Sequence, residues 1–161
     1  MFYRVHQFWK AIHPIIREEE LEWAISLLPP HSLPLFQAQP LPEQRHALDV
    51  ALDLWDSGIR DSYLLIAALL HDCGKTRYPL KVWERITIVL LQKGPRKIWN
   101  TLISSHFPIS APLRAAEAHP AWGAEMALEI GLDPHIVELI GEHHTPHSQE
   151  GYLLYLADNR H

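Results

Sequence analysis

The chain has 161 residues, of which 47% are hydrophobic, with a formal net charge of −5 and one cysteine, Cys73. A chain of this length and composition can bury a core without disulfide bonds, and a lone thiol excludes an internal disulfide. The longest apolar run, near residues 63–70, is far shorter than the ~20 residues of a membrane-spanning helix, and the N-terminal segment lacks the features of a signal peptide. We therefore expect one soluble, cytoplasmic domain without a membrane partner, in which Cys73 is a small buried apolar residue.

Helical periodicity accounts for the first half of the chain. An amphipathic segment from Glu18 to Leu28 ends at two prolines and belongs to a predicted N-terminal helical extension, residues 1–40, ahead of a core at residues 41–161. Apolar residues then recur at helical spacing between residues 47 and 55, before the stop signal of Gly58. The next segment, RDSYLLIAALLHDCGK, predicts a buried helix that ends near Gly74.

The second half is less regular but is also predicted to be helical. VWERITIVLLQKG is interpreted as a helix, although ITIV in isolation could form a strand, because nothing nearby offers a strand partner. Residues 94–120 contain four prolines and show no clear period. Beyond them, a helix is expected to begin at Pro120 and end at Gly131, a second to be capped by Asp133, and a last one to cover QEGYLLYLADNRH. The sequence thus predicts an all-α bundle of about seven to nine helices.

Residues that bind divalent metals lie at or near the predicted helix ends. Imidazole and carboxylate groups suit ions such as Fe, Mn, Co, Ni and Zn. Any one of these side chains could equally be a helix cap, a hydrogen-bonded core residue or a surface group, so the indication comes from the ordered set. That set comprises His46, His71, Asp72, His119, His143, His144 and Asp158.

The adjacent pair His71 and Asp72 has a local geometric requirement. Neighbouring residues in an α-helix point about 100° apart, so both can face one ion only where the helix ends, as Gly74 predicts. A carboxylate at that position has two oxygens and can bridge two ions. We therefore expect Asp72 to lie between two metal sites.

This ordered set resembles the HD superfamily of metal-dependent phosphohydrolases, over roughly residues 41–161. AALLHDCGK is similar to the superfamily's apolar helix ending in HD-x-G-K, and HPAWGAEM resembles the H-P-x-x-G-A segment of members with two metals. The resemblance implies an all-α HD-like fold that holds one or two divalent ions. It implies ligands for a first ion at His46, His71, Asp72 and Asp158, and for a second at His119 and His143, with His144 as an alternative or additional ligand.

One subfamily, the binuclear HD-GYP proteins, is matched only in part. The nearest string here is Gly151-Tyr152-Leu153, which lacks the proline, and the segment between His144 and Asp158 is shorter than in that subfamily. The chain is therefore similar to HD-GYP proteins without their GYP motif. Cyclic di-GMP is a disfavoured substrate on this ground.

The resemblance implies hydrolysis of a phosphate ester or anhydride, with a nucleotide favoured, through a metal-activated hydroxide. Asp72 and Lys75 are the candidate catalytic residues, Asp72 as the bridging ligand and Lys75 as a contact to a phosphoryl oxygen. Lys75 could instead be a lysine favoured by the dipole at a helix C-terminus. Thr76, Arg77 and Arg114 are weaker candidates for substrate contacts.

Positive charge is concentrated between Lys75 and Arg114, where eight of the fourteen Lys and Arg residues stand against Glu84 alone. This segment could attract an anionic ligand or form a solvated helix face, and both interpretations stay open. An extended nucleic-acid partner is not predicted, because no second basic patch accompanies it. Two alternative functions remain, a metal-bound nucleotide sensor without turnover and a di-iron oxygenase of the same fold, and the oligomeric state is undetermined by the sequence.

Overall fold

The structure, a computed structural model, describes residues 15–161. The part of the predicted N-terminal extension in residues 1–14 lies outside this range. The described residues form nine α-helices and one 3₁₀ helix and contain no strand, which confirms the all-α prediction. The α-helices are α1 (Glu18–Leu27), α2 (Leu33–Ala38), α3 (Leu41–Asp56), α4 (Ser62–Leu70), α5 (Val82–Gln92), α6 (Arg96–Ile103), α7 (Ser110–Glu129), α8 (Pro134–Glu142) and α9 (Gln149–Asp158); the 3₁₀ helix, Cys73–Arg77, follows α4.

The main core surrounds α4. Asp61 caps this helix by accepting a hydrogen bond from the backbone N–H of Leu64, and every residue from Leu64 to Leu70 is buried. A helix that is apolar all round must be covered on all sides. Helices α1, α2, α3, α8 and α9 pack around it, so the ionisable residues that follow α4 begin at the centre of the bundle.

A second, smaller core lies beside the first. Ile88 of α5, Trp99 of α6 and Leu113 of α7 form its buried centre. The segment between residues 94 and 120, which shows no clear period in the sequence, thus contains α6 and the first half of α7. The ITIV run belongs to α5, so the helical interpretation was correct.

The expected helix start at Pro120 is wrong. Helix α7 runs without a break from Ser110 to Glu129 and contains Pro120 in its interior. A proline there removes one intrahelical hydrogen bond, and the local bonding around it, described below, accounts for its position. The predicted stop at Gly131 agrees with the structure, where this residue has a φ of +79° just after the helix.

None of the helices within residues 15–161 combines the length and the apolar character that crossing a lipid bilayer requires.

Candidate metal centre

The predicted ligand residues come together at the centre of the bundle. His71 and Asp72 follow the last turn of α4, and His143 directly follows α8. His46 belongs to α3, His119 to α7 and Asp158 to the last turn of α9. They form two groups, the first around His71 and the second around His143.

The first group combines His46, His71 and Asp72, whose ligand atoms lie within 4.8 Å of one another. Asp158 adjoins this group: its Oδ1 is 2.9 Å from Nε2 of His46 and 3.6 Å from Nε2 of His71. Two imidazoles and two carboxylates therefore face one small volume, which is a donor set suited to a borderline divalent ion.

The second group consists of three imidazoles, those of His119, His143 and His144, also with ligand atoms within 4.8 Å of one another. The Nε2 atoms of His119 and His143 are 3.3 Å apart. His119 and His143 are buried, whereas His144 is exposed. The structure thus places both members of the pair His143 and His144 at the same site.

Asp72 lies between the two groups and turns one oxygen to each. Its Oδ2 is 3.5 Å from Nε2 of His71, on the first side, and its Oδ1 is 3.2 Å from Nε2 of His119, on the second. This is the arrangement that a bridging carboxylate needs. Asp72 is only 2% exposed, so little besides these groups and Lys75 balances its charge.

Three of the imidazoles share one mode of orientation. The Nδ1 atoms of His71, His119 and His143 lie 2.8, 2.9 and 2.7 Å from backbone carbonyl oxygens three residues earlier, on Ala68, Ala116 and Ile140. A carbonyl only accepts, so each Nδ1 carries the proton and donates. In the neutral imidazole the opposite nitrogen, Nε2, is then left with a lone pair directed into the cluster, as in metal-binding histidines.

The carbonyls that accept these bonds are free for a structural reason. Those of Ala68 and Ile140 are in the last turns of α4 and α8, where carbonyls have no intrahelical partner. That of Ala116 is in mid-helix, but its usual donor would be the N–H of residue 120, which is Pro120 and has none. The interior proline therefore provides the acceptor that orients His119.

The cluster fits a metal ion by an independent observation. Among the described residues, Nε2 of His71 is a buried nitrogen without a hydrogen-bond partner, a condition that costs free energy unless a ligand satisfies it. Burial lowers the pKa of His71, but the nearby carboxylates of Asp72 and Asp158 outweigh it and raise that pKa to about 9. Surroundings that favour a proton at this nitrogen also favour a metal cation.

The charges of the other groups are those of metal ligands. Burial raises the pKa of Asp72, but the cations and imidazoles around it, led by Lys75 and His71, hold it well below its usual range. Burial is the main cause that lowers the pKa of His143 well below its usual range. Asp72 is thus a carboxylate and His143 a neutral imidazole, the protonation states that bind metal.

Lys75 is joined to this cluster by a chain of ion pairs. Its Nζ lies 2.5 Å from Oδ2 of Asp72 and 3.4 Å from Oε2 of Glu43, and Glu43 also pairs with Arg85 of α5. Neither Glu43 nor Arg85 is among the site residues predicted from the sequence. Glu43 precedes His46 by three residues, so it lies on the same face of α3, and that spacing could have identified it.

The other predicted substrate contacts lie elsewhere. Arg77 pairs with Glu125 of α7, and Arg114 donates to the carbonyl of Ile103. Thr76 donates to the carbonyl of Cys73. Neither arginine lines the cavities that adjoin the cluster.

Close contact between backbones holds the two groups together. Gly74 lies against α7 so tightly that a Cβ there would overlap the carbonyl oxygen of His119 and come within 2.6 Å of the nitrogen of Gly123. Cys73 packs at the same junction and is buried, and burial raises the pKa of its thiol to about 12. Its surroundings are those of the apolar residue that the sequence predicts, not of a reactive thiolate.

The fold and the site together define the class of this protein: a helical domain with two facing clusters of histidine and aspartate side chains. A family model described as HD domain matches residues 44–161, nearly three quarters of the chain. The chain belongs to the HD domain family, a family of metal-dependent phosphohydrolases. No curated protein and no solved structure matches it in the corresponding comparisons.

Proposed function

We propose that the protein is a phosphohydrolase that uses one or two divalent ions, held at the described cluster, to hydrolyse a phosphate ester or anhydride of a nucleotide. The observation that carries the proposal is the position of Asp72, which turns one oxygen toward each of two groups of histidines. A protein that only needed charge balance in its core would gain little from five histidines and a second carboxylate gathered around one aspartate.

The donor sets suggest how the ligands would divide. His46, His71, Asp72 and Asp158 would hold one ion, and His119, His143 and His144, with Asp72 shared, would hold the other. Bound ions supply Lewis acidity, which lowers the pKa of a coordinated water toward ~7 and neutralises phosphoryl oxygens. The chain itself contributes fixed Nε2 lone pairs, each oriented by a hydrogen bond from Nδ1.

Lys75 is the cation nearest to the shared carboxylate. Its side chain is 31% exposed while it touches Asp72, so the ammonium group is accessible from the adjoining cavity. We propose that it contacts a non-bridging oxygen of the substrate. Glu43 pairs with the same ammonium group and would help to fix its position.

Phosphate release by the purified protein tests this function. The protein, loaded in turn with Fe, Mn, Co, Ni and Zn, would be given p-nitrophenyl phosphate, nucleoside mono- and triphosphates, diadenosine tetraphosphate and cyclic dinucleotides. We expect metal-dependent turnover of at least one of the non-cyclic phosphates. The activity should be lost in Asp72→Asn and retained in Asp56→Asn, since Asp56 is an exposed carboxylate of α3. Nucleotide binding by the metal-loaded protein without release of any phosphate would instead favour a sensor.

A further inference from the structure

A cavity of about 340 Å³ adjoins the second group of ligands, between the 3₁₀ helix, α5 and α7. Lys75, His119 and His144 line it on the side of the cluster. Most of the remaining wall is apolar, provided by Leu80, Ile88, Val89, Ala115, Ala116 and Trp122. A molecule with its phosphoryl group at the cluster would therefore place its next atoms against apolar side chains.

The wall belongs to a part of the protein with its own packing. Ile88 is a buried member of the smaller core, and Leu80 and Ala116 pack against that core. The surface is thus formed before any ligand arrives, which reduces the entropic cost of binding.

The charges that line the cavity are already matched. Arg85 pairs with Glu43, and Lys75 pairs with Asp72 on one side and Glu43 on the other. A second anionic group would find no unpaired cation among these residues. An uncharged group would contact the apolar wall without displacing an ion pair.

We propose that this cavity is the subsite for the organic group of the substrate, and that it selects phosphate esters carrying one apolar or aromatic group. The proposal rests on the proposed function and names the substrate class for the same site. The volume is near the lower end of the ~300–1,000 Å³ usual for ligand pockets, which suits one ring system. Residues 78–92, from the basic segment of the sequence, would then determine specificity more by apolar contact than by charge.

Binding of phosphonates to the metal-loaded protein tests the subsite without requiring turnover. Calorimetry would compare phenylphosphonate with methylphosphonate in the wild type, in Val89→Trp and in Leu90→Trp. Val89 lines the cavity and Leu90 does not, although both are exposed on α5. The two variants therefore add the same indole to neighbouring surface positions, and only one of them fills the subsite.

We expect the wild type and Leu90→Trp to bind phenylphosphonate at least ~10-fold more tightly than methylphosphonate, from the apolar area that a phenyl ring buries. The preference should fall below about 2-fold in Val89→Trp. Phenylphosphonate should also shift the indole N–H resonance of Trp122, assigned with Trp122→Phe, whereas methylphosphonate should not.

The result separates this inference from the proposed function. Equal affinity for the two phosphonates, in a protein that does release phosphate from esters, would overturn the subsite and leave the enzyme. A phenyl preference that only Val89→Trp abolishes, in a protein with no turnover, would support the subsite and contradict the enzyme.

Discussion

The imidazole of His119 donates from Nδ1 to the carbonyl oxygen of Ala116 over 2.9 Å. This bond is possible in mid-helix because the residue that would normally donate to that carbonyl is Pro120, four positions after Ala116. The proline interrupts one helical hydrogen bond, and a ligand side chain replaces it.

Pro120→Ala should therefore loosen His119 without unfolding α7. The restored N–H competes for the carbonyl of Ala116, so the imidazole loses its fixed tautomer, and we expect metal affinity at the second group to fall ~10- to 100-fold. Two-bond ¹H–¹⁵N spectra of the imidazoles should show His119 as a mixture of tautomers. Pro112→Ala is the matched control, since Pro112 lies in the first turn of α7, where N–H groups have no helical acceptor. An unchanged tautomer and affinity in Pro120→Ala would contradict this role.

Gly74→Ala should move the first group of ligands away from the second and destabilise the fold. The added Cβ would overlap the backbone of α7 at His119, and backbone cannot move aside as a flexible side chain can. We expect the free energy of unfolding, measured in urea, to fall by about 3 kcal/mol or more. Gly141→Ala in α8 provides the comparison, because its Cβ would lie 3.4 Å from that of Ala124, an ordinary contact. That variant should be neutral or more stable by up to ~1 kcal/mol; equal losses in both variants would argue against the close contact.

Glu142 should contribute stability that depends on pH. This buried carboxylate accepts hydrogen bonds from the backbone N–H groups of His147 and Ser148 and from the Ser148 hydroxyl, and so joins the end of α8 to the start of α9. Burial raises the pKa of Glu142, but these hydrogen bonds outweigh it and lower the pKa below its ordinary value of 4.5. The folded state then binds the proton less tightly than the unfolded state. The stabilisation is therefore complete well above pH 4.5 and is lost as the pH falls through the lower folded pKa.

In Glu142→Gln we expect the free energy of unfolding at pH 7 to fall by ~1–3 kcal/mol. The difference from wild type should narrow as the pH is lowered below 4.5. Denaturant titrations at a series of pH values would measure it, with Glu138→Gln, on the exposed side of α8, as the control. A difference in the free energy of unfolding that is constant with pH would mean that the charge of the Glu142 carboxylate does not contribute to stability.

Lys75→Met should affect turnover more than metal binding. If Lys75 contacts a phosphoryl oxygen, its loss removes one charged hydrogen bond, and kcat/KM should fall ~10- to 100-fold while metal content stays the same. Lys97→Met, at an exposed position of α6, should leave both unchanged. Loss of the metals together with activity would show instead that Lys75 acts only by holding Asp72 in place.

The sequence predicts the centre well where its signals are local. The apolar run before His71 marks a buried helix, so the position of the pair in the bundle follows from a short-range rule. The predicted stop at Gly74 is less exact, because α4 ends at Leu70 and Gly74 lies inside the 3₁₀ helix without a positive φ. Asp133 and Gly131 mark helix boundaries in the same way. These signals concern backbone conformation at a few neighbouring residues, and at these positions the tertiary contacts agree with them.

Other features depend on residues that are far apart in the chain. Pro120 resembles a helix start by local rules, and only the hydrogen bond between His119 and Ala116 explains its place in the middle of α7. Glu43 precedes Lys75 by 32 residues, and no local pattern joins them before the chain is folded. The apolar cavity wall likewise requires α5 and α7 to pack together, which the irregular period of residues 94–120 does not reveal.

Anomalous diffraction from crystals of the metal-loaded protein would locate bound ions independently of activity. We expect a peak within ~2.0–2.2 Å of Nε2 of His71 and a carboxylate oxygen of Asp72, with Asp158 on the same ion. A second peak should lie on the other side of Asp72, beside His119 and His143. Peaks only at surface histidines, with His71 and Asp72 unliganded at saturating metal, would contradict the proposed metal centre.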